Sequence, residues 1–359
     1  MIEKLYINNY RNFVNCTIDF NKDFTLLCGK NGTGKTAIAE LIYKLTSFIT
    51  DSMSASNLVS YNDLPRWNIE KENNQADIEL TIQTSSGLFK YSINIAYTKE
   101  NNAHTSYIAA ESLSFSDIFL YQFDGAEEKV SMLTDDKGEL QYPSNNTRSN
   151  LQLAAKSNSK IKNFFHYCKT QVYSLSFIGN SSKFFATDRL SFGGDDFQVW
   201  YSAILPKKTR QIAQTIKEYE DFIPNLEDVI VGDMSELVFI EKNSTDSYKI
   251  NFRELSTGQQ KLCIYYFLLN IAEKGSTIIL DELESHLSPA ELYPLYHKMQ
   301  TVADERDVQF IIISHNPKTL NWYHKEAIVF STTGVPTFVR AEQFDYKNAQ
   351  SSLFEYVGD

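Results

Sequence analysis

Two hydrophobic patterns open the chain. Val14, Cys16, Ile18 and Phe20 alternate with polar neighbours, whereas positions 24–28 form an unbroken apolar run. Alternation is the signature of a half-buried strand and a short continuous run that of a strand covered on both faces, so a strand hairpin and then a buried strand are predicted. After a glycine-rich loop, Ile38, Leu41, Ile42 and Leu45 recur at i, i+3, i+4 and i+7, one face of an amphipathic helix. Residues 50–76 are polar, rich in Ser and Asn and without period, which predicts a loop or lid. Three period-2 segments follow, Ile78/Leu80/Ile82, Phe89/Tyr91/Ile93/Ile95 and 108–120, and predict an antiparallel meander. Positions 124–150 predict a hairpin with a mobile loop, and about 150–223 a helical block. Strands return over 226–252, and 259–273 is apolar on nearly all sides, as a buried helix must be. The runs 276–280 and 308–313 resemble parallel strands covered on both faces. Between them Ser288, Pro289 and Glu291 start a capped helix that Pro294 is expected to kink or shorten.

Composition narrows the classes. The 359 residues are 42% hydrophobic and carry a formal net charge of −11, which excludes a generally basic nucleic-acid coat. Only the helical block is locally basic, with Lys156, Lys160, Lys162, Lys169, Lys207, Lys208 and Arg210, and a solvated helix face explains such a run equally well. There is no apolar run of the ~18 residues that cross a bilayer and no signal-peptide pattern, so the expectation is a cytoplasmic protein without a membrane. Cys16, Cys28, Cys168 and Cys263 are isolated and are expected to serve as small apolar residues instead of zinc ligands or redox pairs. Neither repeats nor sustained heptads occur, so coiled-coil arms are not expected.

The chemistry concentrates in three places. Gly29-Lys30-Asn31-Gly32-Thr33-Gly34-Lys35-Thr36 fits the phosphate-loop pattern G-x-x-x-x-G-K-[ST] without a mismatch. Its glycines let backbone N–H groups converge on phosphate oxygens, Lys35 neutralises the β/γ charge of ATP, and the Thr36 hydroxyl ligates Mg²⁺. The order strand, loop, helix is the context that pattern requires. Ile278-Ile279-Leu280-Asp281-Glu282 ends a buried strand in two carboxylates, Asp281 suited to the Mg²⁺ shell and Glu282 to activating water. A neighbouring apolar strand delivers Ser314-His315-Asn316, where His315 can reach a γ-phosphate as a neutral donor.

With these residues in place, Leu255-Ser256-Thr257-Gly258-Gln259-Gln260 resembles the ABC signature L-S-x-G-Q, 25 residues before Asp281. Asn9-Tyr10-Arg11-Asn12-Phe13 is similar to the opening of SMC, RecF and overcoming-lysogenization-defect proteins. The resemblance implies an α/β P-loop fold: an ABC ATPase head with a nucleotide core at 1–50 and 226–359, an antiparallel insertion at 77–150 and a helical subdomain at 150–223. It also implies a homodimer with composite ATP sites. Asn31, Gly32, Thr33, Gly34, Lys35 and Thr36 of one subunit would then face Ser256, Gly258 and Gln259 of the other, and Arg11 would reach the nucleotide. Ser285-His286-Leu287-Ser288 takes the place of the D-loop, and Gln122, Gln141, Gln152 and Gln171 remain alternatives for the Q-loop. The 44 residues after His315 are too few for a Toprim nuclease module. The leading expectation is therefore an AAA family ATPase of bacterial anti-phage defence operons, acting with a separate effector, a nuclease or toxin. The alternative is a RecF-like DNA-repair ATPase, which leaves nucleic acid open as a partner.

Overall fold

A computed structural model describes residues 1–65, 75–100, 103–136, 138–177, 189–220, 226–231, 237–242, 246–316, 319, 323, 326–330 and 338–340. Its elements run β1 (Ile2–Asn8), β2 (Cys16–Asp19), β3 (Phe24–Gly29), α1 (Lys35–Thr50), α2 (Ala55–Leu58), β4 (Gln75–Thr84), β5 (Gly87–Glu100), β6 (Ala103–Phe115), β7 (Ile118–Asp124), β8 (Lys129–Leu133) and β9 (Glu139–Pro143). Then come α3 (Leu151–Ala154), α4 (Ser159–Thr170), β10 (Val172–Ser176), α5 (Phe197–Ile204), α6 (Thr209–Glu220), β11 (Leu226–Val231), β12 (Leu237–Lys242) and β13 (Ser247–Asn251). The chain continues through α7 (Thr257–Ile271), β14 (Thr277–Asp281), α8 (Pro289–Arg306), β15 (Gln309–Ile313), β16 (Ala327–Phe330) and β17 (Phe338–Arg340).

Among the described residues the strands form three sheets. Eight antiparallel strands lie in the order β2-β1-β4-β5-β6-β7-β8-β9, and β11–β13 form a small antiparallel sheet. The third has the order β10-β14-β15-β3-β16-β17 and is parallel up to its last pair. Its strands split their side chains between two cores. Leu27, Ile279, Ile311 and Phe330 pack with α1 and the inner face of the eight-stranded sheet, while Leu26, Leu280, Ile312 and Val329 pack with α7 and α8. This two-sided burial accounts for the continuous apolar runs. The helix α7, buried along most of its length, starts at a reciprocal capping box in which Ser256 and Gln259 satisfy each other's backbone N–H.

Gln309 fastens the two large sheets together. Its amide nitrogen donates to the carbonyls of Ile2 and Asn21, each at 2.7 Å, and its oxygen accepts from Ile2 N–H and the Thr277 hydroxyl, each at 2.8 Å. Ile2 and Thr277 are fully buried and Asn21 is half-buried, so three of the four groups are shielded from water. Gln309→Leu should therefore destabilise the fold by about 2–4 kcal/mol, because orphaned buried polar groups cost about 1–3 kcal/mol each. A urea unfolding midpoint within error of the native protein would contradict this.

Several expectations change. The 108–120 segment is two strands, β6 and β7, separated by a turn in which Ser116 and Asp117 take φ 47° and 67°. A turn of polar residues inside an apolar run leaves no break in period. The 50–65 part of the lid is packed: Met53, Leu58, Val59 and Leu64 are buried in the core, and Ser60 and Asp63 cap a single 3-10 turn. The segment after β9 is pinned, since Asn146 and Thr147 carbonyls accept from Ile108 and Ala55. The stretch expected to be helical contains β10, an edge strand of the parallel sheet among the described strands. Positions 66–74 of the lid, and 178–188 and 221–223 of the helical stretch, lie outside the described residues. Pro294 does not shorten α8, which continues to Arg306; the Ala290 carbonyl that loses its partner sits on an exposed turn.

Candidate active site

The C-terminal ends of three neighbouring parallel strands build the site. Register places Asp281 beside Ile313, and Ile313 beside Leu27, so the loops leaving β14, β15 and β3 emerge together. Ligands of open α/β sheets bind at this edge. A cleft of about 590 Å³ opens there, and Arg11, Asn31, Gly32, Gly34, Lys35, Thr36, Asp281, Glu282 and His315 all line it.

The phosphate loop is shaped by its neighbours. Gly34 caps α1 with φ 97°, and a Cβ on it would come within 2.8 Å of the Phe13 ring, so both backbone and space demand glycine. The Asn12 amide donates to the Gly32 carbonyl at 2.9 Å, which ties the Asn9–Phe13 turn to the loop. Lys35 donates to the Gly29 and Lys30 carbonyls at 2.7 and 2.8 Å, and burial draws its pKa below the usual lysine value. Thr33 faces inward instead of lining the cleft, its hydroxyl donating to Lys30. Arg11 lines the cleft with its guanidinium held by Glu40 at 2.6 Å and Asp63 at 3.6 Å.

The acidic pair divides its environment. Asp281 is buried, accepts from Ser176 at 3.0 Å through Oδ2, and leaves Oδ1 without a hydrogen-bond donor. Burial pushes its carboxyl above the ordinary aspartate range, against the opposing pull of the Thr36 and Ser176 hydroxyls and of Lys35. An orphaned carboxylate oxygen next to the Thr36 hydroxyl fits Mg²⁺, which is characteristically held by one or two protein oxygens plus substrate phosphates. Glu282 turns out of the strand at φ 51°, donates its N–H to the Ile313 carbonyl at 3.0 Å and accepts from the Ser285 hydroxyl at 2.8 Å. His315, exposed, lines the cleft just beyond the end of β15.

The raised Asp281 pKa carries a prediction. Folded Asp281 holds a proton more tightly than an unfolded aspartate, so its contribution to stability is fully present below the ordinary value of 3.8 and is lost as pH rises through the raised pKa. Asp281→Asn should raise the unfolding temperature of the nucleotide-free protein at neutral pH while weakening Mg²⁺-dependent nucleotide binding. A lower unfolding temperature, or Mg²⁺ dependence left intact, would contradict the assignment.

The signature residues stand elsewhere: Ser256, Gly258 and Gln259 do not line this cleft. Gly258 packs against the 285–288 segment, where a Cβ on it would lie 2.6 Å from the His286 carbonyl oxygen, and Lys261 donates to the Ser285 carbonyl at 3.2 Å. None of Gln122, Gln141, Gln152 and Gln171 lines the cleft either; Gln171, for one, lies at the opposite end of β10 from Asp281. Sequence reasoning missed Asn12, Asn62 and Ser176. The first two line the cleft, and Ser176 ends β10 beside Asp281. The β-prone pair Val172-Tyr173, with Leu175 two residues on, was the available signal before Ser176.

The family model for the RecF/RecN/SMC N terminal domain matches residues 1–336. The chain belongs to that family. Within it, the DNA replication and repair protein RecF of Psychromonas ingrahamii is 29% identical over 116 residues, 32% of either chain. RecF of Clostridium acetobutylicum is 50% identical over 42 residues, 12% of either chain. The matches thus span about a third or less of these relatives' length. Among solved structures, the SmcHead bound to the C-winged helix domain of ScpA has a TM-score of 0.55 at 15% identity, covering 97% of this chain and 99% of that one. The Smc head domain with an extended coiled coil, bound to the C-terminal domain of ScpA derived from Pyrococcus furiosus, gives 0.54 at 15%, covering 99% and 98%. At that identity the likeness shows the fold, that of an SMC/RecF-like ABC ATPase head. No helix among the described residues is long and apolar enough to cross a membrane.

Proposed function

We propose that this family member is an ATP-binding and ATP-hydrolysing head that dimerises around two nucleotides in the cytoplasm. The observation that carries the reading is the convergence of Lys35, Thr36, Asp281, Glu282 and His315 on one cleft that Ser256 and Gly258 do not reach. Lys35 exchanges the loop carbonyls for the β/γ-phosphates, joined by N–H groups at the start of α1. Thr36 and Asp281 would hold Mg²⁺, which would supply positive charge beside the phosphates when bound. Glu282, steadied by Ser285, accepts a proton from the attacking water, and His315 donates to the γ-phosphate. The Ser256 end of α7 from a second copy closes the site, giving a homodimer with two composite sites. Ser256→Arg, placed in a Glu282→Gln background, should leave the protein monomeric with MgATP in light scattering; a dimer would refute the head-to-tail arrangement.

The use we propose first is control of a separate effector, a nuclease or toxin, in anti-phage defence. In its support, the chain is acidic and part of its basic stretch is already engaged: Lys208 pairs with Glu273, and Lys160 lies over the Phe115 ring. DNA repair is the second use, favoured by the likeness to RecF. Filter binding to duplex DNA across a salt series separates them. Affinity that falls steeply with salt supports DNA repair, whereas no binding at low salt supports the effector.

A further inference from the structure

A second cavity, of about 370 Å³, lies along the open edge of β10 and shares no lining residue with the ATP cleft. Among the described strands β10 pairs only with β14. The Gln171 carbonyl accepts from Thr277 on the paired side, and Ser176 N–H donates to Phe192 on the other. By the two-residue alternation of a strand, Val172 and Ser174 therefore turn their backbone polar groups toward the open edge. The size falls within the range of small-molecule sites.

Two features indicate what the cavity takes. Its wall is apolar and partly aromatic, with Leu175, Trp200 and Ile271, and its charged groups are Lys169, Lys207, Lys208 and Arg189, the last already held by Asp51 and the Thr46 hydroxyl, against one carboxylate, Glu273. That carboxylate is already paired with Lys208 at 2.5 Å. Within the lining, Ser174 is 4% exposed and its hydroxyl has no hydrogen-bond partner. A buried hydroxyl without a partner is unusual in a folded protein, and a ligand atom supplies one.

We propose that this cavity binds a small molecule with an aromatic body and an anionic group, the body against Trp200 and the anion toward Lys169 and Lys207. The probe is 8-anilinonaphthalene-1-sulfonate, which has both features and accepts excitation energy from tryptophan. The full chain should bind one probe with quenching of tryptophan emission, quenching that Trp200→Phe largely removes. Reversing charge in Lys169→Glu/Lys207→Glu should weaken affinity about tenfold or more, and filling the cavity with Ala203→Phe should abolish binding. Because the probe also binds exposed cores, the thermal midpoint must rise with probe concentration. A falling midpoint, no saturable binding, or affinity unchanged by the charge reversal overturns the proposal. Should Ala203→Phe fail to fold by circular dichroism, the charge reversal decides.

Discussion

Glu282→Gln should slow ATP turnover by about 10²–10⁴-fold, the usual cost of losing a positioned general base, and should leave a dimer that persists in MgATP. The substitution keeps the shape of the side chain. Its carbonyl oxygen can still accept the Ser285 hydroxyl, which lies 2.8 Å from Glu282 Oε2, and the backbone stays fixed by the bond from Glu282 N–H to the Ile313 carbonyl. What disappears is the capacity to take a proton from water. Nucleotide entry depends on the phosphate loop and so persists, while the step that would part the two subunits does not occur. Phosphate release measured beside light scattering tests both halves. Unchanged turnover would remove Glu282 from the chemistry.

Lys35→Ala should weaken ATP binding by about 30- to several thousand-fold, the 2–5 kcal/mol typical of truncating one partner of a buried charge pair. In the free protein the ammonium bonds to the Gly29 and Lys30 carbonyls, at 2.7 and 2.8 Å, inside the concavity where phosphates would sit. Burial already draws its pKa down, so an anion arriving there gains a charge partner with little competing water. The same burial means the nucleotide-free fold loses little when the charge is deleted. Titration with a fluorescent ATP analogue, alongside a melt without nucleotide, separates binding from stability. Native affinity in the variant would end the phosphate-loop assignment.

Where structure depends on neighbours in sequence, the chain was legible. The phosphate loop needs one strand, one turn and one helix in succession, and the apolar run ending at Cys28 and the Ile38–Leu45 face supplied them. The Asp281-Glu282 pair and His315 could be placed because each follows a continuous apolar strand, and parallel strands end on one edge. Ser176 escaped because β10 is only five residues long and follows directly on the helix α4. Its membership of the parallel sheet depends on hydrogen bonds to β14, about a hundred residues away in the chain.

The sequence by itself determined the fold class, the strand, glycine loop and helix around residues 29–36, the place of Asp281 and Glu282 at a strand end, and the two-sided burial of the central strands, since periodicity and short motifs are local properties. Tertiary structure alone decided that Asn12 braces the phosphate loop, that Gln309 ties β1 to the parallel sheet, and that the cleft holds Lys35 and Glu282 but not Ser256. Each of these is a contact between residues far apart in the chain, set by which strands pair and which faces are left to meet.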